Sequence, residues 1–171
     1  KKEEMDEHEH QDFTEPKMFN TMFKTFIGPV EDEANTTYLR PETAQGMFVD
    51  FQHVLDTSRQ KVPFGIAQIG KSFRNEITTG QFLFRMLEFD IAEVEYFVKP
   101  GEDEEAFDEW LAFMENFLTK ELGLAKKNVK RYEHQKDTLA HYSKRTVDIY
   151  YNFPWGWDEL WGLANRTDYD L

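Results

Sequence analysis

Five residues in one stretch have the types and the spacing to grip a charged ligand. Within FGIAQIGKSFRNEITTGQFLFRMLEFDIAEVEY, residues 64–96, Arg74 and Glu76 stand two apart, while Arg85, Phe89 and Glu93 follow at intervals of four. The stretch reads as two long strands joined by a polar loop that contains Thr78, Thr79 and Gly80. Strand side chains alternate with period two, so Gln68, Gly70, Ser72, Arg74 and Glu76 share one face of the first strand, and Arg85, Phe89 and Glu93 one face of the second. If Glu76 stands opposite Arg85, these two faces are one. That surface then holds two guanidiniums, two carboxylates and a ring. A guanidinium offers a planar fork of donors and a charge that cannot be titrated away, which suits a polyphosphate. The ring could stack a base, and a carboxylate further along could take an ammonium group. The same residues would also serve as surface ion pairs on a solvated hairpin, and spacing alone does not separate the two readings.

The order of the residues carries more information. Phe73-Arg74-Asn75-Glu76, a loop, and then Phe84-Arg85-Met86-Leu87-Glu88-Phe89 resembles the second signature motif of the class II aminoacyl-tRNA synthetases. TEPKMFNTMFKTFIGPVEDEA, YLRPETAQGMF, QIGKSFRNEI and LAHYSKRTVDIYYNFPWGWDELWGLANRTDYDL are similar, in the same order, to the wording of the glycyl-tRNA synthetases of that class. The resemblance covers residues 14–99 and 131–171.

It implies a fold of the α+β type, an antiparallel β-sheet flanked by helices. The family's first and third motifs are not found, so the class II catalytic fold reads as incomplete: a charged lead over residues 1–12, then a partial catalytic domain over 13–171. The activity implied is that of a ligase. Glycine is activated with ATP, with Mg2+ present, and passed to the 3′ end of tRNA(Gly). The parent family is homodimeric, with no membrane attachment, and the expected location is cytoplasmic. Carried over residue by residue, Arg74 would hold the α-phosphate as the catalytic residue, Arg85 the outer phosphates, Phe89 the adenine face and Glu76 the adenine edge. Asn75 and Phe84 belong to the same ATP site. Glu159-Leu160 resembles a further ATP-contact pair, with Glu159 as the Mg2+ ligand, and Arg166 resembles another nucleotide contact. Glu42 and Glu93 would receive the ammonium of glycine, in a pocket walled by residues such as Ile91 and Ala92 that refuses larger amino acids.

These residues need a scaffold. At 171 residues, 40% hydrophobic and 16% aromatic, the chain has enough apolar content for one domain with a sizeable core. No apolar run reaches the length of a membrane span, and no signal-peptide pattern opens the sequence. The absence of cysteine excludes disulfides and thiolate metal sites. A net charge of −13 is the reverse of a nucleic-acid-binding footprint, so tRNA would be gripped elsewhere or by a local basic patch.

In the lead KKEEMDEHEHQD, His8, Glu9 and His10 read as solvated charge rather than a metal site. Aromatic-rich Phe19 to Ile27 predicts a buried strand, and Thr36 to Arg40 a short one. Pro41 then opens a helix with Glu42 in its first turn, anchored by Phe48, Phe51, Val54 and Leu55. The spacing of Phe107, Trp110, Leu111, Met114, Phe117, Leu118 and Leu122 predicts a core-facing helix over 102–122, stopped by Gly123. Strands are expected over 128–133, 146–153 and 157–165, the last two turning at Pro154-Trp155-Gly156. His134 and His141 read as structural, because amino-acid activation begins from a carboxylate and needs no protein base. Two rival readings remain, a synthetase-like nucleotide-binding protein without aminoacylation and a plain α/β interaction domain. ATP binding separates the second rival from the others, and glycine-dependent adenylate formation separates the enzyme from the first.

Overall fold

The computed structural model describes residues 15–171, so the charged lead and its His8, Glu9 and His10 lie outside the described residues. In chain order the elements are β1 (Lys24–Phe26), β2 (Thr36–Tyr38), α1 (Ala44–Val49), α2 (Phe51–Ser58), β3 (Phe64–Phe73), β4 (Glu88–Phe97), α3 (Asp103–Asn116), β5 (Val129–Glu133), β6 (Arg145–Phe153) and β7 (Gly156–Asn165).

β3 and β4 pair antiparallel from Phe64 opposite Phe97 to Phe73 opposite Glu88. This is the register that places Glu76 level with Arg85, and it makes the expected common face real: Gln68, Gly70 and Ser72 share it with Phe89, Ile91 and Glu93. The ladder ends earlier than the sequence suggests. Arg74 N–H still donates to Leu87 O at 3.0 Å, but Asn75 N–H turns away to Thr21 O at 2.9 Å. Beyond that point Arg85 bridges Gly80 rather than Glu76.

The expected single sheet is three separate ones: β1–β2, β3–β4 and β5–β6–β7. Phe73 N–H donates to Arg40 O at 2.9 Å, which begins to extend β2 alongside β3. Pro41 comes next and has no N–H with which to continue a ladder. The predicted buried strand over 19–27 shrinks to the three residues of β1, and Phe19 and Ile27 are exposed. Phe26 of this short two-stranded ribbon is only half-buried.

The helix expected from Pro41 starts at Ala44 and breaks at Asp50, which ends α1 and opens α2. Glu42 therefore precedes the helix instead of lying in its first turn. The cause is Thr43, whose N–H and hydroxyl are drawn to Glu93 across the hairpin, 50 residues away in sequence.

Two apolar clusters fix the layers. Phe51 stacks on Phe64 at 5.7 Å and lies 4.5 Å from Phe97, so α2 closes one end of the hairpin's common face. The larger cluster joins Phe107, Leu111, Met114 and Leu118 to Val147 and Ile149 of β6. The last turn after α3 widens into a π-type turn over Phe117–Glu121, and Leu122, expected in the stripe, ends exposed. Tyr96, on the hairpin's other face, meets Trp110 of α3 at 5.3 Å. α3 thus backs both the hairpin and the three-stranded sheet, leaving the opposite faces of both for chemistry.

Candidate active site

On the front of the hairpin the side chains follow in a fixed order set by the register. Glu93 stands opposite Gln68, then Ile91 opposite Gly70, Phe89 opposite Ser72, and Arg74 just past the end of β3. Glu93 Oε2 accepts from Thr43 N–H at 2.6 Å and from the Thr43 hydroxyl, while Oε1 makes no hydrogen bond among the described residues. One carboxylate oxygen is thereby anchored and the other left for a ligand. Glu42, adjacent to Thr43, accepts from the Gln45 side chain. Ile91 lies on this face; Ala92, expected in the same wall, alternates to the back.

At the other end, the Arg74 guanidinium lies 5.4 Å from the centre of the Phe89 ring and its Nε donates to Pro41 O at 3.2 Å. Cation–π contact and a single hydrogen bond orient it while most of its donors stay open. Ser72 is completely buried between Gly70 and Arg74, and its hydroxyl has no hydrogen-bond partner among the described residues. The loop residues are more occupied. Arg85 approaches Glu76 at 3.5 Å, and Asn75 Nδ2 donates to Asn20 O at 2.7 Å. Phe84 packs against Phe153 at 4.9 Å and Trp155 at 5.3 Å, docking the loop on the β6–β7 turn.

Glu159 reaches the site through an irregularity. β6 and β7 pair regularly from Arg145 opposite Asn165 to Ile149 opposite Trp161, then shift so that Tyr150 meets Glu159 and Leu160 is extra. Without that bulge Glu159 would share the core face of Trp161; with it, Glu159 turns to the face of Asp148 and Gly162. A Cβ placed on Gly162 would lie 3.3 Å from Asp148 Oδ1 and 3.4 Å from Glu159 Oε1, so two carboxylates converge over a bare backbone. Asp148 is 8% exposed, and its Oδ2 lies 2.6 Å from His134 Nε2. Burial and the like charge of Asp148 push the Glu159 carboxyl above its usual range, against the opposing pull of Arg74 and His134.

Arg166 does not join Glu159. It is clamped by Asp170 through two hydrogen bonds of 2.7 and 2.9 Å, and lies 3.9 Å over the Tyr142 ring and 5.1 Å from that of Phe48. Its charge is felt by Glu95, on the front face of the hairpin. His141, read as structural, is paired with the Tyr169 hydroxyl at 3.0 Å.

Residues 23–155 match the family described as the tRNA synthetase class II core domain (G, H, P, S and T). The chain belongs to this family. Among its relatives, the glycine–tRNA ligase of Caldanaerobacter subterraneus subsp. tengcongensis is 58% identical over 159 residues, covering 93% of this chain and 34% of that protein. The glycine–tRNA ligase of Clostridium tetani is 59% identical over 159 residues, again 93% of this chain and 34% of the relative. That of Thermus thermophilus is 58% identical over 160 residues, 94% and 31% respectively. The chain thus spans about a third of the length of the curated relatives it matches. Among the described residues, no helix is long and apolar enough to cross a membrane.

Sequence pattern does not point to Arg40, Thr43 or Asp148, which lie beside these side chains; His134, read as structural, pairs with Asp148. Thr43 and Arg40 flank Glu42 in the RPET phrase, which was the available signal. Asp148 stands at an alternating position of a strand, and only its pairing with Gly162 reveals its neighbours.

Glu95, on the same face as Glu93, gives the core a pH-sensitive element. Burial drives its carboxyl from 4.5 up to about 7, Arg166 opposes this, and the negative charges of Glu93, Asp170 and Glu42 add to it. Between those pH values the folded state keeps a proton that the unfolded state has lost, so this group's contribution to stability is present at low pH and fades as pH rises toward 7. Glu95→Gln is therefore expected to match wild type near pH 4.5 and to exceed it increasingly up to about pH 7 in urea-unfolding midpoints. A difference that does not vary with pH would remove Glu95 as the titrating group.

Proposed function

We propose that residues 13–171 are part of the catalytic domain of a glycine–tRNA ligase, which activates glycine with ATP to glycyl-adenylate and passes the glycyl group to the 3′ end of tRNA(Gly). The observation that carries this reading is the front face of the hairpin. An anchored carboxylate with one free oxygen, at Glu93, lies in line with an open guanidinium held over a ring, at Arg74 and Phe89. An ammonium ligand and a phosphate ligand fit that order, and the relatives named above are glycine–tRNA ligases.

In this reading Glu93 and Glu42 take the substrate ammonium. The carboxylate of glycine attacks the α-phosphorus of ATP in line, the new acyl–phosphate bond forms as the bond to pyrophosphate breaks, and no proton need be moved by the protein. Arg74 neutralises charge on the α-phosphate as the five-coordinate centre forms, which is the chief task in phosphoryl chemistry. Asn75, Glu76, Phe84, Arg85 and Phe89 form the nucleotide side, with Glu76 and Phe89 at the adenine and Arg85 at the outer phosphates. Leu160 and Arg166 are assigned as further nucleotide contacts; Leu160 flanks Glu159 at the bulge.

Mg2+ characteristically binds through one or two carboxylates plus substrate phosphates. The Asp148 and Glu159 oxygens converging over Gly162 fit that requirement. These two residues would hold the ion, whose chemistry is to offset the charge of the phosphates. We assign the complete protein to the cytoplasm as a homodimer of class II type.

The test is calorimetric binding of a non-hydrolysable glycyl-adenylate analogue to the full chain, with the alanyl analogue as control. Preference for the glycyl form is expected, and equal binding or none by folded protein overturns the assignment. Glu93→Gln is expected to weaken glycine about tenfold or more, since one charge-assisted bond to the ammonium becomes neutral. Unchanged glycine affinity in that variant would remove Glu93 from the pocket.

A further inference from the structure

We infer that Arg40 is a second open guanidinium of the pocket and binds the carboxylate of the substrate amino acid between Glu93 and Arg74. The inference rests on the glycine-activating reading above. Arg40 Nε donates to Lys71 O at 2.7 Å, which fixes the base of the guanidinium beside β3. A Cβ added to Gly70 would fall 2.6 Å from Arg40 Nη2 and 3.8 Å from Thr43 Cγ2. The guanidinium therefore occupies the space that a side chain at 70 would fill, on the front face, against the residue that anchors Glu93.

Its free donors set it apart from its neighbours. Arg85 has Glu76, Arg131 has Glu115, Arg145 has Glu104, Glu133 and Asp108, and Arg166 has Asp170. Among the described residues Arg40 makes no ion pair, and no hydrogen bond from its terminal nitrogens. The same is true of ion pairs for Arg74, and for Arg59 at the end of α2. In a chain with 33 acidic and 20 basic residues, two unpaired arginines beside one short strand segment are a site built for an anion.

The order along the face identifies that anion. Residues two apart on a strand are separated by about 7 Å. Going from Glu93 toward Arg74, the Gly70–Ile91 pair with Arg40 above it comes one such step on, and the Ser72–Phe89 pair comes next. An amino acid held by its ammonium at Glu93 presents its carboxylate over Gly70, facing the phosphate bound at Arg74. Gly70 has no side chain because the guanidinium lies there. By fixing the carboxylate, Arg40 presents one oxygen to the α-phosphorus and contributes through positioning.

The test is glycine-dependent ATP–pyrophosphate exchange by the full chain, comparing wild type with Arg40→Ala, Arg40→Lys, Gly70→Ala and the double variant Arg40→Ala/Gly70→Ala. Gly70→Ala keeps the guanidinium in the molecule but pushes it from its place. Arg40→Ala is expected to raise the KM for glycine about tenfold or more and leave that for ATP within about twofold. Gly70→Ala should raise it by a smaller factor, Arg40→Lys should fall between wild type and Arg40→Ala, and the double variant should be no worse than Arg40→Ala. Glycinamide, which lacks the carboxylate charge, should compete with glycine relatively better in Arg40→Ala than in wild type. An inactive wild-type chain overturns the glycine-activating reading itself. An active wild type, with an unchanged glycine KM in Arg40→Ala or with additive effects of the two substitutions, overturns the assignment of Arg40 alone. Should Arg40→Ala not fold, Arg40→Lys and Gly70→Ala decide the matter by the same KM criterion.

Discussion

On the proposed glycine-activating reading, Arg74→Ala is expected to lower glycine-dependent ATP–pyrophosphate exchange by about a thousandfold or more, the range seen when an arginine is removed from a phosphoryl-transfer site. The same change should cost little stability. Arg74 makes one side-chain hydrogen bond, to Pro41 O at 3.2 Å, and no ion pair among the described residues, so its removal leaves no buried charge unpaired. What it loses is the contact with Phe89 at 5.4 Å, worth about 1 kcal/mol at an exposed site. The contrast between a large kinetic and a small thermodynamic effect is the informative result. Arg74→Lys should recover only part of the rate, because an ammonium supplies charge without the planar fork. Glycine-dependent ATP–pyrophosphate exchange together with urea unfolding of the same samples measures both quantities. A rate loss below about tenfold would show that the charge at the α-phosphorus is neutralised by another group.

The contrast also explains why this part of the site was legible in the sequence. Arg74, Phe89 and Glu93 lie on one hairpin, where period-two alternation and a single register decide which side chains share a face. The β3–β4 register is the one that a Glu76–Arg85 pairing would continue, so the face followed from it although the ladder ends before those two residues. Glu76 itself was placed less well, because Asn75 leaves the ladder for Thr21, 54 residues earlier in the chain, and no local pattern announces that departure. The tie from Thr43 to Glu93 spans 50 residues and that from Arg40 to Lys71 spans 31. Both are side-chain bonds between elements that sequence periodicity treats separately. Glu159 is proposed from its phrase, and alternation alone would assign it to the wrong face, since the extra Leu160 reverses the parity. Fold prediction failed where packing, not pattern, decides: the aromatics of 19–27 suggested a buried strand, yet Phe19 is exposed and Phe23 and Phe26 are only half-buried. It also failed at Pro41, where one missing N–H ends a strand pairing that would otherwise join two sheets.

The second large effect follows from the strand that carries Asp148. Ile149→Ala is expected to destabilise the protein by about 2–5 kcal/mol, the range for deleting most of a buried isoleucine side chain, and Ile149→Val by about 1 kcal/mol. Ile149 is 0% exposed and belongs to the cluster with Phe107, Leu111, Met114 and Leu118, so the vacated volume lies under α3, where several side chains would have to move together to close it. Against a typical total of about 5–15 kcal/mol, that is a large share. Its position gives it a further consequence. The pairing of Ile149 with Trp161 is the last regular one before the shift that turns Glu159 toward Asp148, so the core contact holds one side of the bulge in place. Loosening it frees β7 to slip toward the regular register, which would carry Glu159 to the core face and away from Gly162. The expected result is therefore coupled: a lower urea midpoint, and a weaker affinity for ATP even at temperatures where Ile149→Ala is fully folded, with Ile149→Val close to wild type in affinity. Loss of stability with ATP affinity intact would mean that the bulge is held by the strand pairing itself and does not depend on the packing beneath it.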